Sequence, residues 1–340
     1  MNLPEIGLFG ILILVFTAPF LFKSIEHNLE IFLFAMGCLA VSITGSWNMH
    51  LVSEAFREPL PISSVVLGAG LLFKWSRKKL ESGIQALLTR IPLSIFIFLL
   101  IVLLGVLSSI ITAIIAALIL VEVISILKLD RTSEIHITII ACFSIGLGAA
   151  LTPIGEPLST IVVAKLHQDF WYLFKNFGIL ILPPIFVLGF FAPLFHKPSK
   201  EGLEATSWKE EDSIKSVIIR ALKVYVFVMA LLFLGAGFKS LINTYLIVLS
   251  SGVLFWLNMA SAVLDNATLA AAEISPTLSH VQIKSILMAL LISGGMLIPG
   301  NIPNIIAASK LKIKSREWAK LGVPLGLVMM FIYFLILHII

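Results

Sequence analysis

Residues 261–276 read SAVLDNATLAAAEISP. An acid and an amide, Asp265 and Asn266, stand side by side in an apolar run, and a second acid, Glu273, follows them. A charged side chain at the centre of a membrane span costs about 2.5–3.5 kcal/mol on insertion scales, so a carboxylate there is expected to face a cavity or bind a partner. Burial disfavours the charged carboxylate and a bound cation favours it, which suits such a group to exchanging H⁺ for a cation. Asp265 is the candidate titratable ligand and Asn266 the neutral one. Glu273 lies close to Ser275-Pro276, where it can serve the same site or simply reach interfacial water.

Two further stretches place oxygen ligands where an apolar segment is interrupted. Residues 149–161 read AALTPIGEPLSTI, with Pro153, Gly155 and Pro157 around Glu156. Prolines break helices because they lack an N–H and clash with the preceding turn. Ser159 and Thr160 follow, and their hydroxyls are expected to cap free N–H groups at the new helix start. The second stretch, PGNIPN at 299–304, follows Gly294 and Gly295 and contributes Asn301 and Asn304. Hard cations take carbonyl, amide and carboxylate oxygens. Paired interruptions in matching positions are the best sequence pointer to a carrier's binding site. Non-helical backbone at membrane depth is tolerated only where it is buried or lines a cavity.

The elements that must position these residues follow from composition. Of 340 residues, 59% are hydrophobic and 13% charged, and the mean hydropathy is +1.06. Soluble domains carry about 25% charged residues, so the chain reads as an integral membrane protein. Alternating segments of a β-barrel are lacking. Spans need roughly 17–25 apolar residues. The candidates are 6–22, 29–45, 59–73, 91–108, 110–127, 135–166, 170–194, 216–237, 240–257, 258–274, 284–308 and 321–340. The expected fold is an all-α polytopic bundle of about 10–12 spans, some interrupted. The first run reads as a retained span, since MNLPE has no basic n-region. Glu122, near a span end and ahead of Lys128, is expected to be peripheral or to serve packing.

The net charge of +5 reflects basic loops between spans, which argues against nucleic acid as a partner. The loop 74–90 (KWSRKKLESGIQALLTR) and the loop 309–320 (SKLKIKSREWAK) are both expected to be cytoplasmic. Counting spans from either one puts the N-terminus outside. The polar stretch 196–215 then falls inside, as a linker between two halves. The chain divides into N-terminal spans (1–58), a first repeat (59–195, interrupted near 153–157), the linker, and a second repeat (216–340, interrupted near 299–304).

The repeat itself is visible as SSIITAIIAA at 108–117 against SAVLDNATLA at 261–270, which pairs Thr112 with Asp265 (265 − 112 = 153). PIGEP then matches PGNIP, pairing Pro157 with Pro303 (303 − 157 = 146). In the span count these equivalents run in opposite directions, the inverted-repeat arrangement of many carriers. Thr112 cannot titrate, so the chemistry is asymmetric; Thr112 can still supply a hydroxyl or backbone oxygen. No HExxH, GxSxG, Walker or intramembrane aspartyl-protease pattern is present, so an enzyme is not expected. Cys38 and Cys142 both lie in apolar runs and carry no metal or disulfide reading.

SAVLDNATLAAAEI, TPIGEPLSTI and PGNIPNIIAASKL resemble an uncharacterised family of predicted cation transporters. That family lies within the wider ion-transporter superfamily of NhaD-type sodium/proton antiporters and arsenite efflux carriers. The resemblance covers most of the chain from about residue 90. It implies inverted repeats, a scaffold domain, a transport domain holding the broken helices, a homodimer and elevator-like movement in the cell membrane. In NhaD-type relatives an Asp-Asn pair in the second repeat is part of the ion site, which maps onto Asp265 and Asn266. The expected function is secondary transport of a small cation, Na⁺ against H⁺, with no cofactor beyond the transported ions. The alternative is an anion or small-solute carrier of the same fold, of the arsenite or carboxylate type. The Ser-Asn-Thr signatures of dicarboxylate carriers are replaced here by GEP-LST and GNIPN, and Glu156 would repel a dicarboxylate.

Overall fold

The computed structural model describes residues 3–22, 24–25, 28–127, 129–195, 214–245, 249–264 and 266–338. Nearly all of the expected linker 196–215 lies outside them, and so does Asp265. Among the described residues the secondary structure is helical, with no strand.

The first helices are α1 (Leu3–Leu21), α2 (Leu29–Thr44) and α3 (Met49–Arg57). Six follow before the linker: α4 (Pro59–Leu88), α5 (Leu93–Ile111), α6 (Ala113–Leu127), α7 (Arg131–Ala149), α8 (Pro157–Lys165) and α9 (Tyr172–Phe191). After it come α10 (Ile214–Tyr245), α11 (Ser251–Leu257) with a 3₁₀ turn at Asn258–Ala262, α12 (Asn266–Glu273), α13 (His280–Gly294), α14 (Ile302–Leu311) and α15 (Ser315–His338).

Among the described residues, six helical segments are long and apolar enough to cross a membrane, and four shorter apolar helices accompany them. Their exposed surfaces are greasy: on α9, Ile179 is 79% and Phe190 77% exposed. A helix apolar on its outer face as well as its inner one is solvated by lipid. The chain is an all-α, multi-pass membrane protein. In contrast α7 is buried along most of its length, from Ile137 to Ala149.

Local chemistry sets the ends of these elements. Asp130 caps α7 by accepting from Ser133 N at 3.2 Å. Ser279 and Gln282 form a reciprocal capping box at α13. Between α5 and α6 the chain turns at Thr112, with φ 75° and ψ 150°. That region is populated almost only by glycine and costs a β-branched residue on the order of 1–3 kcal/mol. The turn is tied down by Ala113 N, which donates to Gly155 O at 2.9 Å.

Three of the expected boundaries move. The basic stretch 74–90 is mostly helical, because α4 continues to Leu88; Lys, Arg, Leu and Gln are good helix formers, and polarity alone does not end a helix. The spans expected at 216–237 and 240–257 become one long helix, α10, and the short α11, since no proline lies between Leu234 and Leu241 and Gly235 and Gly237 are tolerated inside a helix. The span expected at 258–274 is interrupted: the 3₁₀ turn occupies its start, and α12 begins only at Asn266. The amide therefore opens a helix instead of sitting in the middle of one.

The helices before and after the linker pack in corresponding ways. Within the first set, α4 touches α6, α5 touches α7 and α9, and α7 touches α9. Within the second, α10 touches α12, α11 touches α13 and α15, and α13 touches α15. Between the sets the short helices cross over, α6 against α14 and α8 against α12. The long helices α4 and α10 also meet, and α2 lies along α10. There small residues bring the backbones together: a Cβ on Gly237 would stand 2.5 Å from Ala40 Cβ.

Side-chain detail repeats as well. Ser108 Oγ donates to Ile145 O at 3.0 Å, and Ser261 Oγ donates to Leu290 O at 3.4 Å. A Cβ on Gly155 would meet Ala149 O at 2.0 Å, and one on Gly300 would meet Gly294 O at 2.5 Å. Glu156 precedes α8 at φ −156°, ψ 160°, and Asn301 precedes α14 at φ −154°, ψ 147°. These matches place Glu156 opposite Asn301 (301 − 156 = 145), one residue off the proline-to-proline pairing read from sequence. Proline fits either of the first two helical positions, so it does not fix the register. The close glycine contacts do.

Candidate functional site

The two interruptions present matched pairs of polar residues. Glu156 and Asn301 occupy the positions before the short helices and are both buried. Three residues on, Ser159 matches Asn304, and both are 0% exposed. Ser159 Oγ has no hydrogen-bond partner among the described residues. Asn304 spends its amide N–H groups locally, with Nδ2 donating to Gly294 O at 2.8 Å and to Leu297 O at 2.9 Å. Its Oδ1 is buried without a partner among the described residues. The amide is thus held by its donors, and its free atom is an oxygen. Buried polar atoms are nearly always paired, so an orphan acceptor calls for a ligand, a water or a functional reason.

Asn301 lies over Gly146 of α7, where a Cβ would come within 2.8 Å of Asn301 Nδ2. The second interruption therefore rests on a helix of the first set. Cys142 Sγ, a turn earlier on α7, lies 3.8 Å from Pro303 O. Asn266, at the start of α12, is 5% exposed, and its Nδ2 has no partner among the described residues. Since α12 packs on α8, the Asn266 helix and the Glu156–Ser159 interruption belong to one neighbourhood. Asp265, the residue before Asn266, lies outside the described residues.

The other candidates are placed differently. Thr160 is exposed, and its hydroxyl donates to Pro153 O at 2.6 Å, so it braces the interruption and does not join the buried set. Neither Ser159 nor Thr160 caps α8 in the manner expected: Glu156 holds the cap position, and Ser159 Oγ makes no bond among the described residues. Thr112 forms the strained turn, and its Oγ1 accepts from Ile115 N at 3.4 Å. Glu122 is buried and pairs with Lys310 at 3.0 Å across the α6–α14 contact. Glu273 does not reach outward to an interface. It is 5% exposed and accepts from Asn258 Nδ2 at 2.8 Å.

Asn258, Lys165 and Lys310 are polar residues in this region that motif reading passes over. Lys165 Nζ donates to Ile274 O at 3.3 Å, joining the end of α8 to the end of α12. Lys310 stands 145 residues further on (310 − 165) and joins α14 to α6. Their equivalence was within reach of the sequence once the interruptions were aligned in the right register.

The fold and these interruptions define a class: a polytopic helical membrane protein with two matched sets of discontinuous helices and buried, oxygen-bearing breaks. The chain belongs to the DUF1646 family of proteins of unknown function, whose model matches residues 6–340. No curated protein matches it.

Proposed function

We propose that the chain is a secondary transporter of a small inorganic cation, exchanging Na⁺ for H⁺ by elevator-like alternating access. The observation that carries this reading is Asn304. A carboxamide fully buried, held by both its N–H groups and left with a free oxygen, is a ligand suited to a cation and unsuited to an anion. Glu156, Asn301 and Ser159 add oxygens at the two matched interruptions. Asp265 supplies the carboxylate that H⁺ and the cation compete for, and Asn266 stands beside it. Such competition at one group couples the two fluxes without further machinery.

The test is a proteoliposome assay in which a pH gradient is challenged with a panel of salts. Na⁺ is expected to dissipate the gradient in the natural protein. The Asp265→Asn variant is expected to lose the effect while remaining folded and reconstituted. Unchanged cation-driven proton movement in that variant would sink the mechanism. Stimulation by arsenite or a carboxylate with no dependence on cation would replace it with an anion carrier.

A further inference from the structure

Glu273 and Asn258 lie apart from the paired interruptions, and the cation reading makes no use of them. They are 5% and 1% exposed. Asn258 Nδ2 donates to Glu273 Oε2 at 2.8 Å and to Leu254 O at 3.0 Å, which uses both its N–H groups. Two atoms remain, Glu273 Oε1 and Asn258 Oδ1, and both are buried with no partner among the described residues. Both are acceptors as long as the carboxyl is ionised. A buried acceptor left without a donor is unfavourable, and more so when it is charged.

A single proton removes both faults. On Glu273 Oε1 it makes a donor, and Asn258 Oδ1 is the acceptor that lacks one. A cation is a poorer occupant, because two oxygens fall well short of the six or more that hard cations collect. We propose that Glu273 and Asn258 form a dedicated proton site, closed as a cyclic carboxylic acid–amide pair when the proton is bound.

The repeat supports the assignment independently. The first-set counterparts of Asn258 and Glu273 are Gly105 and Leu120 (258 − 153 and 273 − 153). Neither has a polar side chain. Around them the packing is preserved: Gly148 closes on Gly105 O, and its counterpart Ser293 donates to Asn258 O at 2.8 Å. Amide and acid therefore occur together in the second set, and both are missing from the first.

Among the described side chains, few titratable groups come from the elements around α12, which are α8, α10, α13 and the 3₁₀ turn. From α8 comes Lys165, on Ile274 O beside Glu273. From α10 come Lys215, Lys223, Tyr225 and Lys239, of which Lys223 pairs with Glu30 at 2.8 Å and Tyr225 donates to Phe56 O at 2.9 Å. From α13 come His280 and Lys284, in its first turns. The 3₁₀ turn brings none.

The site's part in coupling rests on the transport reading, but proton binding is measured without it. The experiment is infrared difference spectroscopy of the full chain in lipid, stepped in pH, for the natural protein, Glu273→Gln and Asn258→Leu. The natural protein is expected to show the carbonyl stretch of a buried neutral carboxylic acid, shifted by deuterium exchange. Glu273→Gln should lose the band while keeping the fold, since its amide can make the same two hydrogen bonds. Asn258→Leu should keep the band at a shifted frequency, so the assignment survives even if one variant folds poorly. Identical spectra for the natural protein and Glu273→Gln would overturn the proposal. The band present with no cation-driven flux in the natural protein would sink the transport reading and leave the proton site standing.

Discussion

Gly146 and Gly148 lie two positions apart on α7 and should respond oppositely to an added methyl group. At Gly148 the new Cβ would stand 1.7 Å from Gly105 O, which is backbone and cannot swing aside. Gly148→Ala is expected to cost about 1–3 kcal/mol or more, read as a lower unfolding temperature in detergent. At Gly146 the obstacle is Asn301 Nδ2 at 2.8 Å, the end of a side chain. Gly146→Ala should unfold near the natural temperature but bind Na⁺ about tenfold more weakly, a loss of roughly 1.4 kcal/mol, by calorimetry. Equal loss of stability in the two variants would show that Asn301 has no freedom to yield. At this scale the sequence was partly legible. It marked Asn304 and Glu156 as oxygen bearers inside apolar breaks. It could not show that Asn304 commits its N–H groups to Gly294 and Leu297, or that Thr160 turns away, because both depend on how the interrupted backbone folds back. Asn258 escaped notice because a lone amide in an apolar run has no motif; its meaning comes from Glu273, brought to it by the turn between them.

The short helices are the elements on which the two sets of the fold depend. Two matched lysines join them across the sets, Lys310 to Glu122 and Lys165 to the carbonyl of Ile274. The Lys310–Glu122 pair is nearly enclosed, with side chains 8% and 7% exposed. Removing one partner of such a pair strands a buried charge and costs roughly 3–5 kcal/mol, whereas replacing both by apolar residues is often neutral. Glu122→Gln is therefore expected to lower the unfolding temperature strongly, and Glu122→Leu combined with Lys310→Met to restore most of it. A double variant no more stable than the single one would mean that the pair is held for a reason other than charge balance. The helices themselves were legible wherever proline and glycine ended an apolar run, as at Pro157 and Gly300. The register between the sets was not, because Pro157 and Pro303 suit neighbouring positions of a helix start equally well. In the α10 region Gly235, Gly237, Lys239 and Ser240 mark a boundary between two expected spans, but with no proline there the helix runs through them.

On the scale of the whole molecule, the basic segments 74–90 and 309–320 carry the orientation argument, since lysine and arginine concentrate on the cytoplasmic side. Lys79 and Lys314 are exposed in these two segments. In a background lacking Cys38 and Cys142, cysteines introduced as Lys79→Cys and Lys314→Cys are expected to react with a membrane-impermeant maleimide from the cytoplasmic face only. Labelling of the two from opposite faces would break the charge-based topology. The crossing of α6 with α14 and α8 with α12 also bears on how the molecule is made. Arg131 Nη1 donates to Leu311 O across 180 residues of chain, and the whole α6–α14 contact has a similar span. At synthesis rates of about 5–20 residues per second, the first set waits on the order of ten to forty seconds for the partner of α6 and about half as long for that of α8. During that interval α6 and α8 lie in the nascent chain with their inner faces uncovered, so the ribosome and the insertion machinery must hold a half-assembled protein whose centre is closed by its last-made segments.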